Sequence, residues 1–319
     1  MVQEKLVRPN QPLDTISTCL IVIAVAFWGF AFPLLKIAVR YIPPLTLGWV
    51  RYMVAALPLL IYFIVKEGPG SLLKPLKRDW HLFVAMGFLM VALPNATQNI
   101  GIKYTTSSMS ALIQTSEPIF TILLASMFLG ERLSMRKVGG TVMALLASVL
   151  LVWLGGLSLG GGKVFVGNVL MFICSVSYGI SAVFTKAALR RNDPLKTAAI
   201  AMFLGSIMLI PTSLVIGEPI DWFIGMPDIA WLVLALLCLF PCLFATVLWY
   251  HVLTYTEVSR QILFLYLIPV FASIGAFVTW GEILTPISIA LGLVIVIGVL
   301  IAQFEVKRKK GRLLPRPGR

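Results

Sequence analysis

Apolar residues in this chain occur in runs of about twenty, separated by short segments that are polar or rich in Gly and Pro. A run of that length matches an α-helix that crosses a hydrocarbon core of about 30 Å. The pattern predicts ten membrane-spanning helices, at residues 16–39, 44–65, 80–100, 107–129, 136–154, 165–188, 195–216, 229–250, 258–280 and 286–304. Pro44 and Pro194 stand where a helix is predicted to begin, which supports these limits.

Composition places this helical chain in lipid. Of its 319 residues, 59% are hydrophobic and only 12% are charged, whereas a soluble domain has about a quarter of its residues charged. The four cysteines lie inside apolar runs, where they act as small hydrophobic residues, so we expect no metal site. The net charge of +13 is carried by short loops and a tail, so we expect no nucleic-acid partner. The composition predicts an all-α integral membrane protein.

The distribution of Lys and Arg predicts the topology. If the N-terminus is cytoplasmic, 21 of the 26 Lys and Arg residues fall on the inner side and four on the outer side, while Arg51 lies within a span. Cytoplasmic loops carry such an excess. We therefore expect an N-in, C-in protein with cytoplasmic segments at 1–15 and 305–319.

The chain also repeats itself at an offset of about 150 residues. Gly29, Lys36, Arg40 and Pro44 match Gly179, Lys186, Arg190 and Pro194, and Tyr104, Pro118 and Gly130–Glu131 match Tyr255, Pro269 and Gly281–Glu282. Each half holds five predicted spans, an odd number, so the second half is predicted to be inverted. The repeats are placed at 16–154 and 165–304, with a Gly-rich linker at 155–164. Inverted repeats are a transporter architecture whose site lies near the membrane midplane.

A family resemblance rests on a series of short motifs. Residues 104–108 read YTTSS, Glu117–Pro118 follow, and residues 130–133 read GERL. This series resembles the third-to-fifth helix region of the EamA-type drug/metabolite transporters, and residues 255–282 hold a looser copy. The resemblance covers about 19–303. It implies ten helices, a cavity between the halves, and export of amino acids or related metabolites. Glu117 aligns with Ile268, so only one half carries the acid.

Four prolines fall within predicted spans, two in each half: Pro94, Pro118, Pro241 and Pro269. A proline in mid-span bends the helix and frees a carbonyl group that a ligand or water can use. We expect these residues to be hinges for alternating access. A set of static kinks is the competing interpretation.

Polar and aromatic side chains within the spans are the candidates for substrate binding. They are Glu117, Arg51, Trp28, Asn95, Gln98, Gln114, Tyr178, Gln261 and Tyr266. Contact with lipid would be costly for most of them, so we expect them to face the interior. Hydrogen bonds between helices are the simpler explanation for any single amide. Trp28 and Tyr178 are related by the repeat and could form facing aromatic walls, or only pack.

Glu117 and Arg51 are the charged pair of greatest interest. At about 1.5 Å per helical residue, they are predicted to lie at similar depths, roughly 15 and 11 Å from the outer surface. A charge in the hydrocarbon region costs at least about 2.5–3.5 kcal/mol unless it finds a partner. One interpretation is a permanent structural ion pair. The other is a switch, in which a substrate cation or a proton replaces Arg51 at Glu117.

These observations favour a secondary transporter, and an exporter of small metabolites in particular, in the cytoplasmic membrane of a prokaryote. The phosphate-loop motif is absent, so we expect neither direct use of ATP nor any cofactor. The alternatives are an integral membrane enzyme, for which no His, Asp or Glu cluster is evident, and a membrane scaffold. The expected partners are a small-molecule substrate and the bilayer. A homodimer stays open, because Gly140, Ala144 and Ser148 form a stripe of small residues on the fifth span.

Overall fold

A computed structural model of the chain describes residues 15–121, 124, 135–159, 161–253 and 261–303, and the structural statements below concern these residues. They contain helices, turns and short loops and no strand. The helices are α1 (Thr15–Ala38), α2 (Pro44–Glu67), α3 (Gly70–Arg78), α4 (Trp80–Gly101), α5 (Ser107–Gln114), α6 (Met135–Leu159), α7 (Gly162–Leu189), α8 (Pro194–Val215), α9 (Asp228–Leu253), α10 (Ile268–Trp280) and α11 (Pro286–Gln303).

Six of the described helices are long and apolar enough to cross a membrane, namely α1, α2, α4, α7, α8 and α9. Three shorter apolar helices lie at Val138–Leu154, Phe264–Trp280 and Pro286–Ile301. The predicted all-helical class is therefore confirmed for the described residues. The number of ten spans and their orientation stay predictions.

Two helices contain a π-helical segment near their middle, and irregular segments adjoin two others. A π-helical segment occupies Gly87–Ala92 in α4, and another occupies Cys238–Phe244 in α9, 151 positions later. Helix α5 stops in a turn at residues 115–116 before the chain becomes helical again at 117–121. A 3₁₀ segment, Ile262–Leu267, precedes α10. Segments of this kind are frequent at functional sites, since they change the direction of side chains and free backbone groups.

The four predicted hinge prolines lie in or beside these interruptions. Pro241 is inside the π segment of α9, whereas Pro94 follows the π segment of α4 by two residues. Pro118 and Pro269 likewise follow by two residues the irregular segments that precede them. Whether the interruptions move stays a prediction.

Helices α6 and α11 pack closely on each other through the predicted stripe of small residues. A Cβ atom built on Gly298 of α11 would lie 2.7 Å from the carbonyl oxygen of Gly140 and 2.9 Å from Cβ of Ala144. Such close approach requires small side chains on both helices. The stripe therefore makes a contact within the chain, and a homodimer stays a prediction.

Polar clusters join the two halves at both ends of the helix bundle. At the end formed by segments 67–80 and 189–194, which we call the first end, Asp79 accepts hydrogen bonds from Asn192 Nδ2 and Arg78 Nε, both at 3.0 Å. The bond from Asn192, followed by the bond and charge of Arg78, lowers the pKa of Asp79 below its ordinary value. The second end is formed by segments 38–44, 101–107, 216–228 and 281–286.

Candidate functional site

A buried polar cluster lies between α2 and α4. Arg51 Nη2 donates a hydrogen bond to Asn95 Oδ1 at 2.6 Å, and both residues are almost completely buried. Asn95 Nδ2 in turn donates to the carbonyl oxygen of Val91, in the π segment of α4, at 2.7 Å. Arg51 Nε has no hydrogen-bond partner among the described atoms. The cluster thus holds a positive charge in the interior with unused donor capacity.

Tyr178 of α7 is a neighbour both of this cluster and of Glu117, which lies in the helical segment after α5. Its phenol group is a neighbour of the Tyr52 phenol, which belongs to the residue next to Arg51, and it also lies within electrostatic reach of Glu117. The sequence prediction did not include Tyr52, because a tyrosine next to a charged residue in an apolar run has no distinguishing pattern.

Glu117 lines a small cavity between α5 and α10. The cavity is about 10 Å³ in volume, room for roughly one water molecule. It is lined by Ala111, Gln114, Thr115, Glu117, Pro118, Leu265, Tyr266 and Ile268. The Glu117 carboxylate forms no ion pair and no hydrogen bond with any described residue, and the buried Tyr266 hydroxyl has no partner either. Two polar groups therefore face this cavity with their hydrogen-bonding capacity unused.

An amide pair closes the cavity toward α4. Gln98 Nε2 donates to Gln114 Oε1 at 3.2 Å, which joins α4 to α5. Asn95 and Gln98 are three residues apart on α4, so they occupy neighbouring positions on one face of the helix. Through this face, α4 contacts both the Arg51 cluster and the Glu117 cavity.

The backbone near Glu117 is positioned by a close contact with α7. A Cβ atom built on Gly179 would lie 2.5 Å from Cβ of Phe120 and 2.9 Å from the carbonyl oxygen of Glu117. The repeat-related Gly29 of α1 approaches α10 in the same way, with distances of 2.5 Å to Phe271 Cβ and 2.9 Å to the Ile268 carbonyl oxygen. The same packing therefore supports the acidic residue in one half and an apolar residue in the other.

In each π segment, one backbone carbonyl group accepts a hydrogen bond from a side chain of the other half. Trp28 Nε1 donates to the carbonyl oxygen of Pro241 at 2.9 Å, and Ser177 Oγ donates to that of Leu89 at 2.8 Å. The Trp28 ring packs on Trp249, with ring centroids 5.1 Å apart. Trp28 therefore contacts α9, and the facing aromatic walls of Trp28 and Tyr178 stay a prediction. Ser177 was not predicted, because its sequence counterpart is Phe27.

The remaining predicted residues have separate roles in the structure. Gln261 is buried, and its Nε2 donates to the carbonyl oxygen of Trp249 at 2.9 Å, which joins α9 to the segment before α10. Arg51 and Glu117 form no ion pair, because Arg51 is bonded to Asn95. Gly130–Glu131 lie outside the described residues. The structure thus brings together Gln98, Gln114, Glu117 and Tyr266, and places Arg51 and Asn95 in an adjoining cluster.

Sequence comparison finds membrane transporters that are similar to this chain over most of its length. Residues 15–153 and 165–304 each match the sequence profile of the EamA-like transporter family. An uncharacterised transporter of Archaeoglobus fulgidus is 29% identical over 265 residues, which are 82% of this chain and 89% of that protein. A probable terminal-alkyne amino-acid exporter of Streptantibioticus cattleyicolor is 26% identical over 292 residues, 92% of this chain and 94% of that protein.

Structural comparison points the same way for the fold. A solved crystal structure, described only as that of a protein, matches with a TM-score of 0.62 at 19% identity, covering 91% of this chain and 97% of the other. Because the family profile matches nearly the whole chain in two segments, this protein belongs to the EamA-like transporter family of membrane transporters.

Proposed function

We propose that this protein is a secondary transporter that exports small metabolites with a cationic amino group, such as amino acids, across a prokaryotic cytoplasmic membrane. The observation that carries the proposal is the Glu117 carboxylate, which lines an interior cavity and has no counter-charge among the described residues. A carboxylate in that position attracts an ammonium group or takes up a proton, because an unpaired charge is costly in a medium of low polarity.

The other end of such a substrate has a matching group in the Arg51 cluster. Arg51 Nε is buried and unpartnered, and a guanidinium binds carboxylates through paired hydrogen bonds. Tyr178, a neighbour of Tyr52 within electrostatic reach of Glu117, can donate a hydrogen bond to a bound molecule. The name of the S. cattleyicolor relative, a probable amino-acid exporter, supports the same substrate class.

The proposed transport cycle uses ten spans, N-in and C-in, arranged as inverted repeats at 16–154 and 165–304. The two π segments begin at equivalent positions of the two repeats, which supports equivalent bending of α4 and α9. The cavity of about 10 Å³ is too small for a metabolite, so binding requires the helices around it to separate. Movement at the irregular segments beside Pro94, Pro118, Pro241 and Pro269 would open it alternately to the two sides.

Liposomes containing the purified protein test the proposal. A thermal-shift panel of amino acids, purines and organic cations selects the ligand, since a ligand at a hundred times its dissociation constant adds about 2.7 kcal/mol of stability. The labelled ligand should then cross the membrane and be recovered chemically unchanged. Recovery of a chemically altered compound would support the membrane-enzyme alternative. Stabilisation by a ligand that never crosses the membrane would indicate a non-transporting receptor or scaffold.

A further inference from the structure

Glu282 holds three elements together at the second end of the bundle. Its Oε1 lies 2.7 Å from Lys36 Nζ, and its Oε2 accepts hydrogen bonds from Ser108 N at 3.2 Å and Ser108 Oγ at 3.4 Å. The side chains of Glu282 and Lys36 are only 10% and 21% exposed. One carboxylate thus joins the end of α1, the beginning of α5 and the segment after α10.

The backbone before Glu282 fixes the position of its side chain. Gly281 has a φ of +64°, in the left-handed region that favours glycine. Its N–H donates to the carbonyl oxygen of Phe277, and the N–H of Glu282 donates to that of Ala276. These bonds form a helix-ending motif that stops α10 at a defined residue and directs the chain toward α1 and α5.

The Glu282 cluster lies over the cavity that Glu117 lines. Ser108 is the second residue of α5, and Glu117 follows nine residues later, just beyond the turn at 115–116 that ends this helix. Tyr266 lines the same cavity from the segment that leads into α10, and α10 ends directly before Gly281. A molecule that leaves the cavity between α5 and α10 toward the second end has to separate the two elements that Glu282 joins.

A different contact, between α2 and α8, is made at both ends of the bundle at once. At the second end, Glu218 accepts hydrogen bonds from Leu45 N, Thr46 N and Thr46 Oγ1 at 2.9, 2.7 and 2.8 Å. At the first end, Glu67 pairs with Lys196. Glu67 and Glu218 occupy repeat-related positions, 151 residues apart. A helix pair that is held at both ends at once fits an axis about which the other helices move, whereas gates open at one end at a time.

We propose that Glu282, with Lys36 and Ser108, is the outer gate of the transport pathway, and that the α2–α8 contact is a fixed axis that stays closed throughout the cycle. This inference rests on the proposed function. Export requires the Glu282 cluster to open, because this cluster joins the elements that line the cavity. The Glu218–Thr46 and Glu67–Lys196 contacts are retained during the same step.

Reversible cross-linking separates the two kinds of contact. The four native cysteines are first replaced by serine or alanine, and three double variants are made: Lys36→Cys with Glu282→Cys, Thr46→Cys with Glu218→Cys, and Glu67→Cys with Lys196→Cys. Each is treated with a short bifunctional methanethiosulfonate reagent. Cross-linking the first pair should lower transport at least tenfold, and reduction should restore it. Cross-linking either axis pair should leave more than half of the transport of its reduced form.

Each outcome decides a different point. Unimpaired transport by the cross-linked Lys36/Glu282 pair would overturn the gate, and a block by either axis pair would overturn the fixed axis. If the parent without cysteines binds ligand but does not move it across the membrane, the proposed function is wrong.

Hydrogen exchange provides a second test that does not depend on transport or on engineered cysteines. In Lys36→Met, amide exchange over residues 107–112 should be at least threefold faster than in the wild-type protein, because Glu282 is no longer held by an ion pair. Exchange over residues 44–49, which include the hydrogen-bond donors to Glu218, should not change. Lys163→Met is the matched control, since Lys163 is exposed and predicted to lie on the same side. Equal exchange in Lys36→Met and Lys163→Met would contradict the proposed gate.

Discussion

Replacing Gly179 by alanine places a methyl group where α7 approaches the backbone of Glu117. The new Cβ would lie 2.5 Å from Phe120 Cβ and 2.9 Å from the Glu117 carbonyl oxygen, whereas ordinary contacts begin at about 3.4 Å. The two helices must separate by up to about 1 Å to accommodate it. Overpacking of this kind costs about 1–3 kcal/mol in well-packed interiors. We expect the Gly179→Ala protein to unfold at a lower temperature and the Glu117 carboxylate to be displaced.

Gly29→Ala is the matched control, because the structure surrounds both glycines in the same way. Its Cβ would lie 2.5 Å from Phe271 Cβ and 2.9 Å from the Ile268 carbonyl oxygen. The two variants should lose similar stability, within about 0.5 kcal/mol, since the steric conflict is the same. Only Gly179→Ala displaces the acidic residue.

Thermal unfolding and ligand binding in detergent separate the two effects. Gly179→Ala should weaken binding of the ligand chosen by the thermal-shift panel at least tenfold, which corresponds to about 1.4 kcal/mol, while Gly29→Ala should bind almost normally. Equal loss of binding in both variants would refute the special role of the Glu117 segment. Normal stability of Gly179→Ala would refute the close packing of α5 and α7.

Three further substitutions test other parts of the structure. Trp28→Phe keeps most of the ring packing but removes the donor to the Pro241 carbonyl, so the transport rate should fall several-fold while ligand affinity is unchanged; an unchanged rate would show that this bond is dispensable. Asp79 has a lowered pKa in the folded protein, so it contributes stability above its ordinary pKa near 3.9, and that stability is lost as the pH falls through the lowered value. Asp79→Asn should therefore reduce the unfolding temperature at neutral pH but not at strongly acidic pH, and a difference independent of pH would contradict this. Gly298→Leu should destabilise the protein by about 1–3 kcal/mol through its clash with Gly140, and a stable, assembled variant would contradict the contact between α6 and α11.

The helices and the irregular segments were predictable because they depend on local sequence. Apolar runs of about twenty residues give the long helices, and a proline lies in or next to each interruption. The exact position of each distortion depends less on the local sequence. In α4 the π segment precedes Pro94, whereas in α9 it contains Pro241, so the distortion is retained although the proline is not at the same place.

The side-chain partners in the site were harder to predict, because they join residues that are far apart in sequence. A permanent ion pair of Arg51 with Glu117 was one expectation, but Arg51 is bonded in this structure to Asn95, which bonds in turn to the Val91 carbonyl of the π segment; a pair formed in another conformation stays a prediction. The hydrogen bond from Trp28 crosses 213 residues to reach the Pro241 carbonyl. Ser177 was missed since a serine in a span has no distinguishing pattern until the carbonyl group of Leu89 is placed beside it.

The central claim, that Glu117 receives the cationic group of the transported molecule, is tested most directly by measuring transport in liposomes with Glu117→Gln. This change keeps the volume of the side chain and removes its charge. We predict that the variant folds, loses at least tenfold in transport rate and shows an altered pH profile, while Glu117→Asp, which keeps the charge, retains partial activity. A folded Glu117→Gln protein that transports at the wild-type rate with the wild-type pH profile would contradict the account.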